Sequence, residues 1–391
     1  MSAQDAAGGE GSTGARTPLE KAADSLTPVS ERAASDYAAQ KDRLREMVDR
    51  AMAGRADIET LLGGGSLRVM YDNDRNHVAF MATVFESNDF GLLARTLPWV
   101  YGAYRSHGYS DDYFPAVLNA WIGAVRRYVP AAHAAEIVPV YEWMLDHQPE
   151  LIAAADVAAG AAAGREPAEQ VRAFLGALLA GRAADCQEIA DELTQRPEDL
   201  AGFYLDVVQP AMEEVGRLWE RDEISVAEEH LASAIVSRTM AVLYTRLVHR
   251  DVTRGSAVVT AATNEFHDIG SRMAADLLEV DGWDVTFLGA NTPDDELLKL
   301  MRKLHPDVLG VSVAMPFNLD HARRTVAALH EDPDLGGTRV LVGGRAFALR
   351  PESAEWVGAD ALAVDARDGA RIAAAWWGTD PRDAAGHLPG D

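Results

Sequence analysis

The chain has 391 residues, with 36 Lys+Arg against 61 Asp+Glu and a formal charge of −25. With 48% hydrophobic and 25% charged residues it is globular in composition and long enough for two or three domains, but its acidity excludes the basic stripe of a nucleic-acid surface, so no direct nucleic-acid contact is expected. A single cysteine, Cys186, excludes an internal disulfide and a cysteine metal cage and suits a reducing cytoplasm, and neither a membrane span of roughly 18 apolar residues nor the apolar core of a signal peptide is found.

Residues 1–30 are rich in small and polar types and are expected to be a disordered tail. Residues 31–155 read as helices. His77, Phe80, Met81 and Val84 recur at i, i+3, i+4 and i+7, and Leu93, Leu97, Val100, Tyr101 and Tyr104 form a second stripe. The small-residue stretch 156–166 reads as a linker, or as partly helical because alanine is the best helix former, and helical patterns return over 167–250, interrupted by Pro167, Pro197 and Pro210. From Ser256 the period changes. SAVVTAAT, WDVTFLGA, DVLGVSVA, RVLVGG and DALAVD are short apolar runs separated by helical patterns, so 255–380 is expected to be an open parallel sheet with helices on both faces. Residues 381–391 read as a tail.

In such a sheet a ligand binds at the carboxyl ends of the strands. After the first strand comes Asn264-Glu265-Phe266-His267-Asp268-Ile269-Gly270. His267 is placed to point into the crevice, Gly270 to relieve the turn, and Glu265 to accept the second ring N–H of His267, which would fix the tautomer of a metal ligand. The plainer reading is a histidine that only caps a strand-to-helix loop.

Glu265-x-His267-x-x-Gly270 resembles the Asp-x-His-x-x-Gly signature of cobalamin-binding domains. Ser312-Val313-Ala314 resembles their Ser-x-Leu element, with alanine in place of leucine, and Gly343-Gly344 resembles their paired glycines. The resemblance implies a cobalamin whose cobalt takes His267 as lower axial ligand and whose nucleotide tail lies beside Ser312, Val313, Ala314, Gly343 and Gly344. It also implies that 167–250 is a four-helix cap over the upper corrin face. Within that segment Trp219, followed by Val226, Glu229 and His230, resembles the Trp-x9-Glu-His motif of light-sensing adenosylcobalamin repressors. There the tryptophan covers the adenosyl group, so Trp219, Val226, Glu229 and His230 become candidate upper-face residues. The alternative is a cap-core tryptophan and a solvated helix pair. Those repressors carry histidine directly after the tryptophan, where this chain has Glu220. A bis-histidine light product through that position is therefore impossible.

A helical domain ahead of such a unit resembles the photocobilins, which pair a globin-like bilin-binding domain with a light-sensing cobalamin domain. The resemblance implies a fold of α plus α/β class: an N-terminal all-helical globin-like domain, a four-helix cap and a C-terminal Rossmann-like doubly wound parallel sheet. A bilin needs cations for its propionates, acceptors for its pyrrole N–H groups and aromatic walls. The candidates are His77, Tyr101, Tyr104, Arg105 and His107. With no cysteine in this domain, biliverdin would bind without a thioether bond. From the residues alone, bilin, haem and no ligand all stay open, and His77 and His107 also read as ordinary core histidines.

The function implied is that of a cytoplasmic light sensor rather than an enzyme, with adenosylcobalamin and biliverdin as cofactors. Its signal is expected to leave through light-dependent homo-oligomer change or an unidentified protein partner. A corrinoid methyl carrier serving methyltransferases, or a light-independent cobalamin sensor, is the alternative.

Overall fold

Residues 16–162, 167–248 and 252–378 are described in the computed structural model of the chain. The N-terminal part is built from α1 (Pro18–Ala23), α2 (Glu31–Ala39), α3 (Lys41–Ala53), α4 (Ile58–Leu62), α5 (Leu67–Ser87), α6 (Phe90–Ser106), α7 (Tyr113–Tyr128), α8 (Ala131–Asp146) and α9 (Gln148–Ala162). No strand occurs among the described residues of this part. The stripe on α5 buries Phe80, Met81 and Val84, and Tyr101 and Trp121 are fully enclosed. Each such side chain contributes about 1.5–3 kcal/mol by leaving water. The helix starts where the Ser66 hydroxyl accepts the Val69 N–H, and ends at Asn88 in the left-handed region.

The expected tail and linker are both shorter than their composition implies. Residues 1–15 lie outside the described residues, but from 16 onward the segment is ordered. Thr17 and Glu20 cap α1 reciprocally, Glu20 meets Arg95 at 2.5 Å, and Leu19 and Ala23 are buried. A few anchored side chains outweigh a disorder-prone composition. Likewise α9 runs to Ala162, through most of the expected linker, because alanine favours helix strongly. Residues 163–166 lie outside the described residues, as does the C-terminal tail.

The next unit contains α10 (Glu169–Leu179), α11 (Ala183–Leu193), α12 (Leu200–Phe203), a π-helical turn at Tyr204–Val208, α13 (Gln209–Glu220) and α14 (Val226–Leu247). The segments from Leu200 to Glu220 run on as one helix, so four helical rods surround a core that includes Phe174, Cys186, Tyr204 and Met240. The buried Tyr204 hydroxyl donates to Asp276 at 2.6 Å and ties this unit to the sheet domain.

The five expected strands are β1 (Ser256–Ala261), β2 (Asp284–Gly289), β3 (Val308–Ser312), β4 (Arg339–Gly343) and β5 (Ala361–Leu362). They pair in parallel in the order β2-β1-β3-β4-β5. The intervening helices are α15 (Ile269–Val280), α16 (Asp294–Leu304), α17 (Leu319–His330), α18 (Arg345–Leu349), α19 (Ser353–Val357) and α20 (Ala366–Trp377). The strand order reverses between β1 and β3, so the crevice opens where the loops after those two strands diverge.

The N-terminal helices pack directly on this sheet domain. One continuous buried cluster runs from Tyr101 and Phe85 to Leu309, Val311, Leu319 and Phe347. Ion pairs of Arg323 with Glu86 (2.8 Å) and Arg350 with Asp89 (2.9 Å) flank it. Helix α5 lies on the 3-10 turn Pro316–Asn318.

Candidate functional site

The loop after β1 is held by two asparagines in left-handed backbone, Asn264 (φ 63°) and Asn291 (φ 54°), a conformation asparagine tolerates better than most residues. The Asn264 N–H donates to the Asn291 side chain at 2.8 Å, and the Asn291 N–H donates to the Glu265 carbonyl at 2.9 Å. This lock turns the Glu265 side chain inward, where it is fully buried. One carboxylate oxygen accepts N–H groups from Ala314 (2.9 Å), Met315 (2.9 Å) and Asn318 Nδ2 (3.1 Å). The other faces His267, taking its backbone N–H at 3.2 Å and standing 2.5 Å from Nδ1.

That arrangement fixes the imidazole. Nδ1 carries the proton it gives to Glu265, leaving Nε2 with its lone pair on a side chain that is 64% exposed. Burial opposes ionisation of Glu265, but His267 and the N–H donors of Met315 and Asn318 outweigh it, so its carboxyl sits below the usual range. The hydrogen bond to Glu265 raises the His267 pKa above its ordinary value, against burial, with help from the charge of Glu229. Glu229 therefore reaches the imidazole electrostatically from the neighbouring helical unit.

The surroundings suit a large, partly apolar group that offers a metal. Phe266, beside His267, is 69% exposed, and Val226 and Leu231 present apolar surface from α14. Glu229 Oε2 stands 2.6 Å from His230 Nδ1, and its other oxygen accepts the Ser233 hydroxyl at 2.8 Å. His230 itself is 74% exposed. Trp219 is half-buried at the end of α13. No group of three or more His, Cys, Asp or Glu able to hold a metal by themselves occurs among the described residues.

The remaining motif residues fall on the same crevice, for partly different reasons. Ser312 ends β3 and pairs in register with Gly343. Gly344 has φ 106°, and a Cβ there would lie 2.5 Å from the Val313 carbonyl oxygen, so the strand partner alone demands glycine. Gly270 corrects an expectation. Its φ is not positive, so it relieves no turn; it lies in the first turn of α15, where a Cβ would meet nothing within 4 Å. Asp268 and Ile269 precede and begin that helix.

The five bilin candidates differ in their surroundings. Tyr101 stacks on Phe114 at 3.6 Å, and Tyr104 packs against Tyr109, Tyr113 and Phe114. His77 lies 4.9 Å from Trp121, centroid to centroid, with burial pushing its pKa down to about 3 and Nε2 without a hydrogen-bond partner. Arg105 is taken up by Asp111 and Asp156. His107 turns away from that core, with its ring 5.3 Å from Trp219.

Two groups escaped sequence reasoning. Asn318 is 0% exposed and joins Glu265 to Asn264, yet it lies more than 50 residues downstream in no recognisable pattern. In the N-terminal domain the buried Asp74 lies beside the half-buried Asp49, which pairs with Arg45 at 2.6 Å, and one oxygen of each carboxyl has no hydrogen-bond partner. Burial first, and then the Asp49 charge, raises the Asp74 pKa far above the carboxyl range.

Comparison with known proteins bears on the same half of the chain. Two family models, both described as a B12 binding domain, match residues 255–374 and 170–244. Monomethylamine corrinoid protein 1 of Methanosarcina mazei is 26% identical over 202 residues, covering 48% of this chain and 90% of that protein. The HTH-type transcriptional repressor CarH of Myxococcus xanthus is 29% identical over 160 residues, 41% of this chain and 52% of the repressor, so this chain spans about half its length. The solved monomethylamine corrinoid protein of Methanosarcina barkeri aligns over 51% of this chain and 94% of its own, at 22% identity and a TM-score of 0.45. No described helix is long and apolar enough to cross a membrane. The helical unit, over residues 170–244, and the sheet domain it joins, over residues 255–374, thus each match a B12 binding domain.

Proposed function

We propose that this chain is a light sensor rather than an enzyme. It binds adenosylcobalamin, with His267 as the lower axial ligand of cobalt and Trp219, Val226, Glu229 and His230 at the upper face. The observation that carries the cobalamin part of the reading is the Glu265–His267 pair, whose geometry leaves Nε2 free on an exposed side chain; the light-sensing part rests on the resemblance of Trp219, Glu229 and His230 to the repressor motif. The exposed Phe266 and the apolar surface of α14 support a broad ligand between cap and sheet. Ser312, Val313, Ala314, Gly343 and Gly344 would flank its nucleotide tail, and Glu265, Asp268, Ile269 and Gly270 would bind the cofactor from the loop that carries His267.

Bound adenosylcobalamin supplies a cobalt–carbon bond that light breaks. The chain's part is to hold the metal from below and to read the loss of the adenosyl group from above. Trp219 would lose its packing partner, and the cap would shift because a ligand moves an equilibrium only through contacts that differ between states. The output would be altered self-association or contact with a partner protein in the cytoplasm. A globin-like N-terminal domain holding biliverdin without a covalent bond would extend the response to longer wavelengths. For that chromophore His77, Tyr101 and Tyr104 remain candidates inside the domain, with Arg105 and His107 at its rim.

A second reading is a corrinoid methyl carrier serving methyltransferases. It is favoured by the span of the match to the Methanosarcina mazei protein, 90% of that protein's length. Absorption spectra of the chain with adenosylcobalamin, with and without biliverdin, before and after green and red light, separate the two. A light-driven cobalamin change together with a new long-wavelength band supports the sensor. A cobalamin spectrum stable under light, with no bilin uptake, removes it and leaves the carrier. A Trp219→Ala chain whose light response is unchanged would remove the cap mechanism.

A further inference from the structure

The cap is fixed at two ends. At one, Tyr204 donates to Asp276 on α15. At the other, Glu220 closes α13. Its carboxylate accepts the indole N–H of Trp99 from α6 at 2.6 Å and stands 3.5 Å from the guanidinium of Arg345, the first residue of α18. The Glu220 side chain is only 19% exposed. Its neighbour Trp219 meets the His107 ring of the N-terminal domain. One carboxylate therefore touches all three units of the molecule, beside the residue assigned to the upper face.

We propose that Glu220 is a positioning residue, a clip by which the N-terminal helical domain sets the cap over the cobalamin crevice. The proposal rests on the cobalamin reading above. The two arms are unequal. The Trp99 bond is short, charge-assisted and partly buried, which makes it the stronger kind. The Arg345 contact is long and its arginine is exposed, so solvent screens it. The cap is thereby tied more firmly to the N-terminal domain than to the sheet at this end. Coupling is reciprocal. Any rearrangement of α6 that moves Trp99 must change cofactor affinity, and filling the crevice must change how tightly α6 holds α13. The position at which the light-sensing repressors carry histidine is thus used here for contact between domains.

The full-length chain tests this with Trp99→Phe, which keeps the ring and loses the N–H, with Glu220→Ala, with their double variant, and with Glu220→Gln. Two quantities are read: amide hydrogen exchange over α13 in the cofactor-free chain, and the dissociation rate of adenosylcobalamin. Trp99→Phe and Glu220→Ala should each speed both by about tenfold, the worth of one hydrogen bond to a charged group. The double variant should be no worse than the more affected single variant, because both remove the same bond. Glu220→Gln, whose amide oxygen still accepts from Trp99, should stay within about threefold of the parent. Unchanged exchange in Trp99→Phe, or single effects that multiply in the double variant, overturns the proposal. Exchange over α10 and α11 serves as the folding control, and Trp99→Phe decides alone if Glu220→Ala fails to fold. A parent chain that takes up no cobalamin would refute the proposed function, while exchange in the cofactor-free chain would still decide the clip.

Discussion

Replacing Glu265 by glutamine changes one atom and should disable the metal ligand. Three N–H donors converge on one Glu265 oxygen, from Ala314, Met315 and Asn318. The glutamine carbonyl must occupy that side, since an amide NH2 there would face three donors. The NH2 then faces His267. It opposes the backbone N–H that the carboxylate accepted at 3.2 Å, and it forces Nδ1, 2.5 Å from the original oxygen, to become an acceptor. The ring proton moves to Nε2, where cobalt should bind. Outer-shell partners of this kind change metal affinity by about 10–100-fold, equivalent to about 1.4–2.8 kcal/mol. Titration with hydroxocobalamin gives the affinity, and electron paramagnetic resonance of the cob(II)alamin form reports nitrogen on cobalt. Glu265→Gln should bind weakly and lose the protein nitrogen signal, as should His267→Ala. Parent-like affinity with the nitrogen signal intact would refute the tautomer argument.

The same pair dictates opposite pH trends with and without cofactor. The folded His267 pKa lies above its unfolded value of about 6.5. Its contribution to stability is therefore full below that value and lost as pH rises through the folded pKa. Denaturation of the cofactor-free chain should show this, while the histidine-ligated fraction of bound cobalamin should rise with pH, because a proton competes for the ligand. Asp74→Asn should stabilise the cofactor-free chain most in mildly alkaline buffer and flatten its stability profile, because the raised Asp74 pKa makes the parent lose stability as pH climbs above the carboxyl range; unchanged denaturation curves at high pH would contradict it. Gly344→Ala should cost about 3 kcal/mol, from left-handed strain and overlap with Val313, and lower Tm by several degrees.

The sheet was legible because each strand is a short apolar run set off by polar residues, a signal that depends only on neighbours in sequence. The Glu265–His267 pair was legible for the same reason, lying two residues apart. Asn318 was not, because its role arises only when β1 and β3 lie side by side and their loops meet. Nor was the place of His107, since an apolar stripe on α6 cannot tell the domain's own core from the flank of a neighbouring tryptophan. The ordered segment from residue 16 depends on Arg95, about 75 residues away, which composition cannot register. Gly344 was picked out for closeness to a ligand, whereas contact with the Val313 backbone already requires it.

The buried cluster shared by the N-terminal helices and the sheet domain limits how the chain can be divided. The B12 binding domain matches fall on the cap and sheet, which invites expression of that half alone. Cutting near residue 167 would strip the N-terminal cover from the shared cluster and expose part of its apolar surface. It would also leave the Pro316–Asn318 turn without the helix that lies on it. The separated half should aggregate or recruit a substitute cover, and its Asn318 would hold Glu265 less firmly. A fragment of this kind should be a poor stand-in for the full chain in a ligand-binding experiment, whatever its similarity to corrinoid proteins.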